Sequence, residues 1–342
     1  MSRRRFLLPL VPLYAAAVAA KNALYDHSLL PQKRLALPVV SVGNLSTGGS
    51  GKTPFVLALR DLFAGLGWEA DVLTRGYGRN RSQIERVDPN GSAAHFGDEP
   101  LLLARAGLSV YVGADRYRAG LLAEQQPHSA QSLHILDDGL QHRKLARDVE
   151  VILLLRDDLR DRLLPAGNLR EPLSSLQRAD IIVLREEDAE LEPAIKKILG
   201  PAHKPLFWRV HRTLRFRTMD GAPTLAPPRP LAFCALARPE SFWHSLHING
   251  CDPVSAITFS DHHLYKAPEL EALAARAYAR NADSFVTTAK DACKLTPELL
   301  AVLARTAPVI VAELVTTIEN KEKAAAELAA LLLRAYDARE RE

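Results

Sequence analysis

Residues 37–53 read LPVVSVGNLSTGGSGKT, an aliphatic run that breaks into a glycine-rich loop closed by a Lys-Thr pair. A short apolar run rich in β-branched residues predicts a buried strand. Gly48, Gly49 and Gly51 let the chain after it turn its N–H groups inward, as a loop that cradles phosphate requires. A helix is expected from about Gly51, and its positive N-terminal end adds to the attraction. In the pattern G-x-x-x-x-G-K-[ST], Lys52 reaches the β/γ-phosphates and the Thr53 hydroxyl holds magnesium. The expected ATP loop is therefore Ser46, Thr47, Gly48, Gly49, Ser50, Gly51, Lys52 and Thr53. One position departs from the pattern: Ser46 stands where the first glycine belongs. A turn without a ligand is the bland alternative, and the order strand, glycines, Lys-Thr, helix counts against it.

Outward from this loop the alternation continues. ADVLTRG (70–76), LSVYVGA (108–114), LHILDDG (133–139), VEVILLL (149–155) and ADIIVLR (179–185) read as further buried strands, with helical stretches such as 52–66 and 99–107 between them. Continuous apolar strands alternating with helices predict an α/β fold with a mostly parallel sheet covered on both faces. Ligands of such sheets sit beyond the carboxyl ends of the strands, where GGSGKT, RGYGR and DDG fall. The pattern changes at 206–227, which alternates like an exposed two-strand ribbon and ends in a proline cluster. PLAFCALA, DPVSAITF, DSFVTTA and APVIVAEL then predict a smaller second α/β unit, and an Ala-rich charged helix closes the chain at 319–340.

The 342 residues favour two domains over one. A net charge of +4 with a pI near 8.9 suits anionic ligands or a membrane surface and is too weak to imply nucleic acid. Nothing in the chain points to a protein partner. Three scattered cysteines, Cys234, Cys251 and Cys293, form no CxxC pair, so neither a disulfide framework nor a zinc site is suggested. The N-terminus places Arg3, Arg4 and Arg5 before fifteen uncharged residues, Phe6 to Ala20. A signal peptide, a transmembrane helix and a buried helix compete here with a membrane-docked helix. The run is short and carries Pro9 and Pro12, and a nucleotide loop follows within thirty residues. Docking by the apolar side and the arginines is the favoured reading.

Four further stretches carry chemistry. LDDGLQH (136–142) ends a strand with Asp137 and Asp138, either a carboxylate pair supporting magnesium or a simple turn. HFGDEP (95–100) places Asp98 before Glu99 and Pro100, which reads as a helix N-cap or as a carboxylate presented as base. Arg75, Tyr77 and Arg79 in TRGYGR, Arg116 and Arg118 in GADRYRAG, and Arg170 and Glu171 in GNLREP are ordinary surface charges singly; together they suit phosphorylated ligands. In FSDHHLY (259–265), Asp261, His262 and His263 lack a nearby third metal ligand, so an acid–base or polar structural role is expected.

Taken in order, VGNLSTGGSGKTP, TRGYGR, GDEP, LDDGLQH, LPAGNLREPLSSLQRAD, CALARPESF, FSDHHLY and TTAKDACKL resemble the tetraacyldisaccharide 4'-kinase family of bacterial lipid A biosynthesis, over residues 42 to about 295. The resemblance implies ATP- and magnesium-dependent phosphorylation of the 4'-hydroxyl of an acylated glucosamine disaccharide phosphate, a lipid substrate met at the cytoplasmic face of the inner membrane. It implies an N-terminal membrane-associated helix (1–25), a P-loop kinase domain (26–205), a β-ribbon and proline-rich linker (206–227) and a smaller α/β domain (228–342). In that family the loop begins Gly-Asn without the first glycine, so Ser46 fits. Asp98 matches its catalytic base, assisted by a histidine of the DHH motif, His262 or alternatively His263. Lys52 and Thr53 match its phosphate and metal residues, Asp137 and Asp138 its paired acids, and Arg170 the arginine of its LREP segment. Individual roles for Arg116, Arg118 and His142 are less clearly implied. A membrane-associated P-loop ATPase of the positioning type is the rival reading, but its extra lysine is replaced by Thr47. A GTPase would need an N-K-x-D motif, which is absent.

Overall fold

The expected alternation of strands and helices appears in a computed structural model describing residues 2–79 and 82–339, with residues 2–5 described by backbone alone. The side chains of Arg3, Arg4 and Arg5, expected to face lipid, lie outside the described set, as does residue 340 of the closing helix. The first part of the chain holds strands β1 (Val39–Asn44), β2 (Glu69–Thr74), β3 (Glu85–Arg86), β4 (Ser109–Val112), β5 (Ser132–Asp137), β6 (Val149–Leu153) and β7 (Ile181–Arg185). Its helices are α1 (Val11–Asp26), α2 (Lys52–Gly65), α3 (Ala93–Phe96), α4 (Asp98–Arg105), α5 (Arg116–Ala123) and α6 (Glu192–Leu199). The rest supplies β8 (Leu206–Thr218), β9 (Pro223–Thr224), β10 (Pro230–Cys234), β11 (Ser255–Thr258), β12 (Ser284–Thr288) and β13 (Val309–Ile318). With them come α7 (Pro239–Ile248), α8 (Ala267–Ala279), α9 (Ala289–Ala292), α10 (Pro297–Ala304) and α11 (Lys321–Arg339).

Among the described residues, the strands form one sheet in the order β11-β10-β12-β13-β8-β7-β6-β1-β5-β2-β4-β3, with β9 alongside β8. From β7 through β4 every pairing is parallel. β8 extends this set in parallel with β7, while β13 pairs antiparallel to β8 from Val210↔Ile318 to Thr218↔Ile310. β10, β11 and β12 run parallel to β13, so their direction is reversed. The carboxyl ends of the two strand sets therefore face each other. Along β8, the end of β7 lies level with Val210 and the end of β12 level with Phe216. That rise of six residues opens a cleft roughly 20 Å high along the sheet.

Two features differ from the expected plan. The ribbon expected within 206–227 is instead made with β13: β8 pairs β7 over Leu206–Val210 and β9 over only two residues, while residues 211–215 pair with β13 alone. The closing helix α11, assigned by sequence to the smaller domain, packs on the first half. Ala324, Leu328 and Leu332 join the core of Phe55, Leu59 and Phe63 from α2. Arg339 then grips Asp148 at 2.6 Å and donates to the carbonyls of Leu35, Ala36 and Leu37. Residues close in sequence to the second unit can find their apolar partner elsewhere, because helix periodicity fixes which face is buried and not against what.

α1 is an apolar helix on the outside of the body. Phe6–Asp26 is long and apolar enough to cross a membrane by length and composition, with a mean hydropathy of 1.5 and none of the window buried.

At the end of β1 the backbone is crowded. A Cβ on Gly43 would sit 2.5 Å from Leu140 Cβ and 2.8 Å from its backbone nitrogen, whereas one on Gly49 would meet nothing within 4 Å. Gly43→Ala is expected to cost about 1–3 kcal/mol through overpacking, read as a lower urea midpoint, with Gly49→Ala near neutral.

Candidate active site

The loop after β1 is shaped by its neighbours as much as by its glycines. Gly48 and Gly51 take φ of +98° and +81°, a region closed to most side chains, and Gly51 caps α2. Ser46 is not among the residues with positive φ; it is buried and bridges Leu169 in strand-like fashion. Thr47 N–H donates to Asn168 at 2.8 Å, and Arg170 N–H to Leu45 at 2.7 Å. The first turn of the loop is thus zipped to the GNLREP segment in extended backbone, and a glycine at 46 is not needed.

Lys52, at the first position of α2, reaches back to Asn44 Oδ1 at 2.9 Å and to Asp138 Oδ1 at 3.2 Å. Arg170 holds both Asp138 oxygens at 2.8 Å and Asn44 Oδ1 at 2.6 Å. Burial would raise the Asp138 pKa, but the Arg170 hydrogen bond and the Lys52 charge hold it well below the usual carboxylate range. Asp137 differs. It is buried, Thr74 donates to its Oδ2 at 2.9 Å, and Oδ1 has no hydrogen-bond partner. Burial, then the charges of Glu99 and Asp138, push its pKa up to about 6. Two adjacent acids are therefore tuned apart: one already neutralised by cations, the other short of one.

α1 is tied directly to this region. Tyr14 donates to the Arg170 carbonyl at 3.0 Å, Asn22 to Glu171 at 2.9 Å and Lys21 to the Gln141 carbonyl at 3.0 Å. Arg143 completes the seam through Asp26 at 2.7 Å. The outward side of α1 and of the 3-10 turn that leads into it, Ser2–Leu10, carries Phe6, Leu10 and Leu13, exposed at 76%, 50% and 71%.

Across the cleft stands the second cluster. Of the two readings open for Asp98, helix cap or base, the cap does not hold: the cap is Gly97, and Asp98 opens α4 with only 4% exposure. His262, on the loop after β11, donates from Nδ1 to the Asp98 oxygens at 3.0 and 2.9 Å. His263 turns the other way, to Glu269 at 2.9 Å with its ring stacked on Phe259. His262 sits at φ +60° and its ring lies 5.0 Å from Tyr77. Lys290 and Lys294 also approach Asp98 Oδ2, at 3.8 and 3.4 Å. Burial favours the neutral acid, but the His262 hydrogen bond and the lysine charges outweigh it, and the Asp98 pKa falls to about 2.

The other sequence-selected residues divide. Arg116 is buried, donating to the Ala114 carbonyl, with Arg75, Asp137 and Asp138 in its electrostatic surroundings. Burial and the Arg116 charge push His142 down to about 4. Arg118 is exposed, and Arg79 is turned to Glu85 at 3.6 Å. The motif reading missed Arg212. From β8 it donates to the Ser50 carbonyl at 2.6 Å and lies where a Gly51 side chain would be. Burial, then Arg185, lower its pKa to about 10. Nothing local marks it, because it meets the loop from 162 residues away. Lys290 and Lys294 lay in a quoted motif, and only the fold reveals their target.

A central strand, a glycine loop and a helix, with acids from the neighbouring strand beside the loop lysine, define an α/β protein of the nucleotide-binding class. The chain belongs to the tetraacyldisaccharide-1-P 4'-kinase family, LpxK, whose family model matches residues 3–333. The tetraacyldisaccharide 4'-kinase of Koribacter versatilis is 46% identical over 295 residues, covering 84% of this chain and 88% of that one. Its counterpart from Aquifex aeolicus is 39% identical over 304 residues, covering 85% and 90%. A crystal structure of Aquifex aeolicus LpxK, called an "apo" form in complex with ATP, matches with a TM-score of 0.76 and 34% identity over 96% of this chain and 99% of that one.

The folded Asp98 pKa lies below its ordinary 3.8, so the ionised group stabilises the fold above that pH, and the contribution disappears as pH falls toward about 2. Urea unfolding of wild type and Asp98→Asn should therefore show a stability gap that shrinks by about 2 kcal/mol between pH 4 and pH 2. A gap that stays constant across that range would contradict the assigned environment.

Proposed function

We propose that this protein transfers the γ-phosphoryl group of ATP to the 4'-hydroxyl of a tetraacylated glucosamine disaccharide 1-phosphate, a step of lipid A biosynthesis. Family membership over residues 3–333 supports the activity. The observation that carries the mechanism is the Asp98–His262 contact at 2.9 Å, made between the two facing strand sets.

The nucleotide phosphates would lie in the loop 46–53, where backbone N–H groups, the α2 N-terminus and Lys52 meet negative charge. Lys52 now rests on Asn44 and Asp138, so these two pre-position the ammonium for a phosphate oxygen. Asp137, with an unpartnered buried oxygen, would suit a divalent cation, which the Thr53 hydroxyl, by its place in the loop, would help to hold. Magnesium held there would neutralise charge on the phosphates as the bond to phosphorus changes hands. Asp138, saturated by Arg170, fixes that arginine near the loop.

A sugar hydroxyl is a weak nucleophile until its proton has somewhere to go. By sequence that acceptor is Asp98. The geometry favours His262 Nε2, which among the described residues has only Lys290 Nζ at 3.5 Å and Asp261 at 3.7 Å beside it, as the receiving atom: Asp98 is buried and engaged by the Glu99 N–H at 2.9 Å, by His262 and by lysines. Asp98 fixes the His262 tautomer with Nδ1–H toward itself and stabilises the imidazolium that forms, the division of labour of a histidine–aspartate pair. The alternative partner, His263, is directed away from Asp98.

The two strand sets support a division into a nucleotide-holding unit, 26–205, and a smaller unit, 228–342, joined through 206–227. α1 docks the enzyme on the cytoplasmic face of the inner membrane, its apolar side in the lipid and its polar side on GNLREP. The acylated substrate then meets the cleft without leaving the bilayer.

Radiolabel transfer from ATP to the lipid disaccharide phosphate tests the activity; a wild type that leaves the lipid unlabelled sinks it. Asp98→Asn and His262→Gln are each expected to lower kcat by about 10²–10⁴-fold, with full activity in either overturning the pair. For membrane docking, Phe6→Asp with Leu13→Asp should weaken sedimentation with anionic vesicles about tenfold or more. Unchanged vesicle binding would remove α1 as the docking element.

A further inference from the structure

TTAKDACKL (287–295) holds two lysines four residues apart. Thr288 caps the single turn α9 by accepting the Asp291 N–H. The turn carries Lys290 to the rim of the cleft and Lys294 beneath it. Lys290 Nζ spreads its charge over Glu99 at 3.2 Å, Asp261 at 3.5 Å and Asp98 at 3.8 Å. Lys294 is different: its side chain is 0% exposed, as is that of Asp291, which it meets at 2.8 Å. A buried ammonium persists only when paired. Asp291 provides that pairing while its other oxygen accepts the Ala235 N–H at 3.0 Å and the Thr288 hydroxyl at 2.7 Å. The anchor is thus fixed to β10 and to the end of β12. From it Lys294 points across to Asp98 Oδ2 at 3.4 Å, on α4 of the other strand set.

We propose that Lys294 is a positioning residue for phosphoryl transfer: anchored by Asp291, it sets the Asp98 carboxylate against His262 across the cleft. This rests on the reading of Asp98 and His262 as the proton-accepting pair. Asp98 faces His262 from the loop after β11, Lys290 from α9, Lys294 beyond it, and Glu99 on its own helix. Around Lys294 stand Asp98, Asp291, the Tyr265 ring at 5.9 Å, and the thiols of Cys234 and Cys293. Arg105 reaches the Cys293 carbonyl at 3.5 Å and is the remaining nearby cation. Lys294 thus acts on the hydroxyl only through Asp98 and then His262, three links from the reacting oxygen. Its charge opposes proton uptake by the coupled pair.

Steady-state kinetics on the full-length enzyme with ATP and lipid disaccharide phosphate test this, using Lys294→Met and Lys294→Arg. Lys294→Met should lower kcat about tenfold or more while KM for ATP stays within about twofold, as loss of orientation rather than of binding. The acid limb of its kcat profile, which belongs to the coupled pair, should move up by about 1 pH unit when the cation is removed. Lys294→Arg should restore most of kcat and the original limb. Where Lys294→Met does not fold, Lys294→Gln, which keeps a donor to Asp291, takes its place. A folded variant with wild-type kcat overturns the proposal, and so does a loss of kcat with an unmoved acid limb, which would mark a structural role only. If Asp98→Asn is itself fully active, the pair reading fails first, and the two failures are told apart.

Discussion

The antiparallel pairing of β8 with β13 is the constraint on which the rest of this structure depends. Parallel α/β sheets place their functional loops at the carboxyl ends of strands, all on one side. Here a nine-residue register, Val210–Thr218 against Ile310–Ile318, reverses the direction of everything beyond it. Two sets of carboxyl-end loops are thereby aimed at one another. The phosphate loop, DDG and GDEP segments come from one set, and FSDHHLY and TTAKDACKL from the other. Without the reversal, Asp98 and His262, 164 residues apart in sequence, would have no reason to meet.

The two clusters use the same charges differently. At Asp138 a bidentate arginine and a lysine satisfy one acid, in the fork geometry that gives carboxylate pairing its strength. Asp137 beside it keeps an unpartnered oxygen and an upward-shifted pKa, so the site is short of positive charge at one defined atom. At Asp98 the balance is reversed: three positively charged or chargeable groups surround one buried acid. An acid held at a pKa of about 2 is a poor base by Brønsted reasoning and a good orienting anion for an imidazole. The geometry therefore suits the aspartate to orienting and stabilising the imidazole rather than to taking up a proton itself.

Much of the fold was legible because strand and helix periods are local. All six apolar runs of the first half became strands, as did the four of the second, since burial on both faces leaves a continuous aliphatic signature. Ser46 looked like a flaw because motif reading assumes that every glycine in the pattern answers a backbone need. At 46 the chain is extended against Leu169, and the need does not arise. What remained hidden was long-range. The seat of α11 on α2, Arg212 against the Ser50 carbonyl and Lys294 beneath Asp98 all join residues that no local pattern relates. Asp98 was visible as a polar residue at a helix start. Its burial, and hence its chemistry, depended on α9 arriving from the far end of the chain.

The N-terminal helix extends the same logic to the surface. Its polar side is committed to GNLREP and DDGLQH through Tyr14, Asn22 and Lys21, segments that also carry Arg170 and Asp138. Its exposed side carries Phe6, Leu10 and Leu13, which water disfavours and a bilayer interior accepts. A helix seated on the arginine that holds Asp138 cannot shift toward lipid without carrying that segment along, because Tyr14 bonds the Arg170 backbone itself. The exposed apolar side and the loop geometry are thus linked through three hydrogen bonds rather than through the sheet. The apolar side that the N-terminal helix turns outward is therefore held in fixed register with the segments beside the glycine-rich loop.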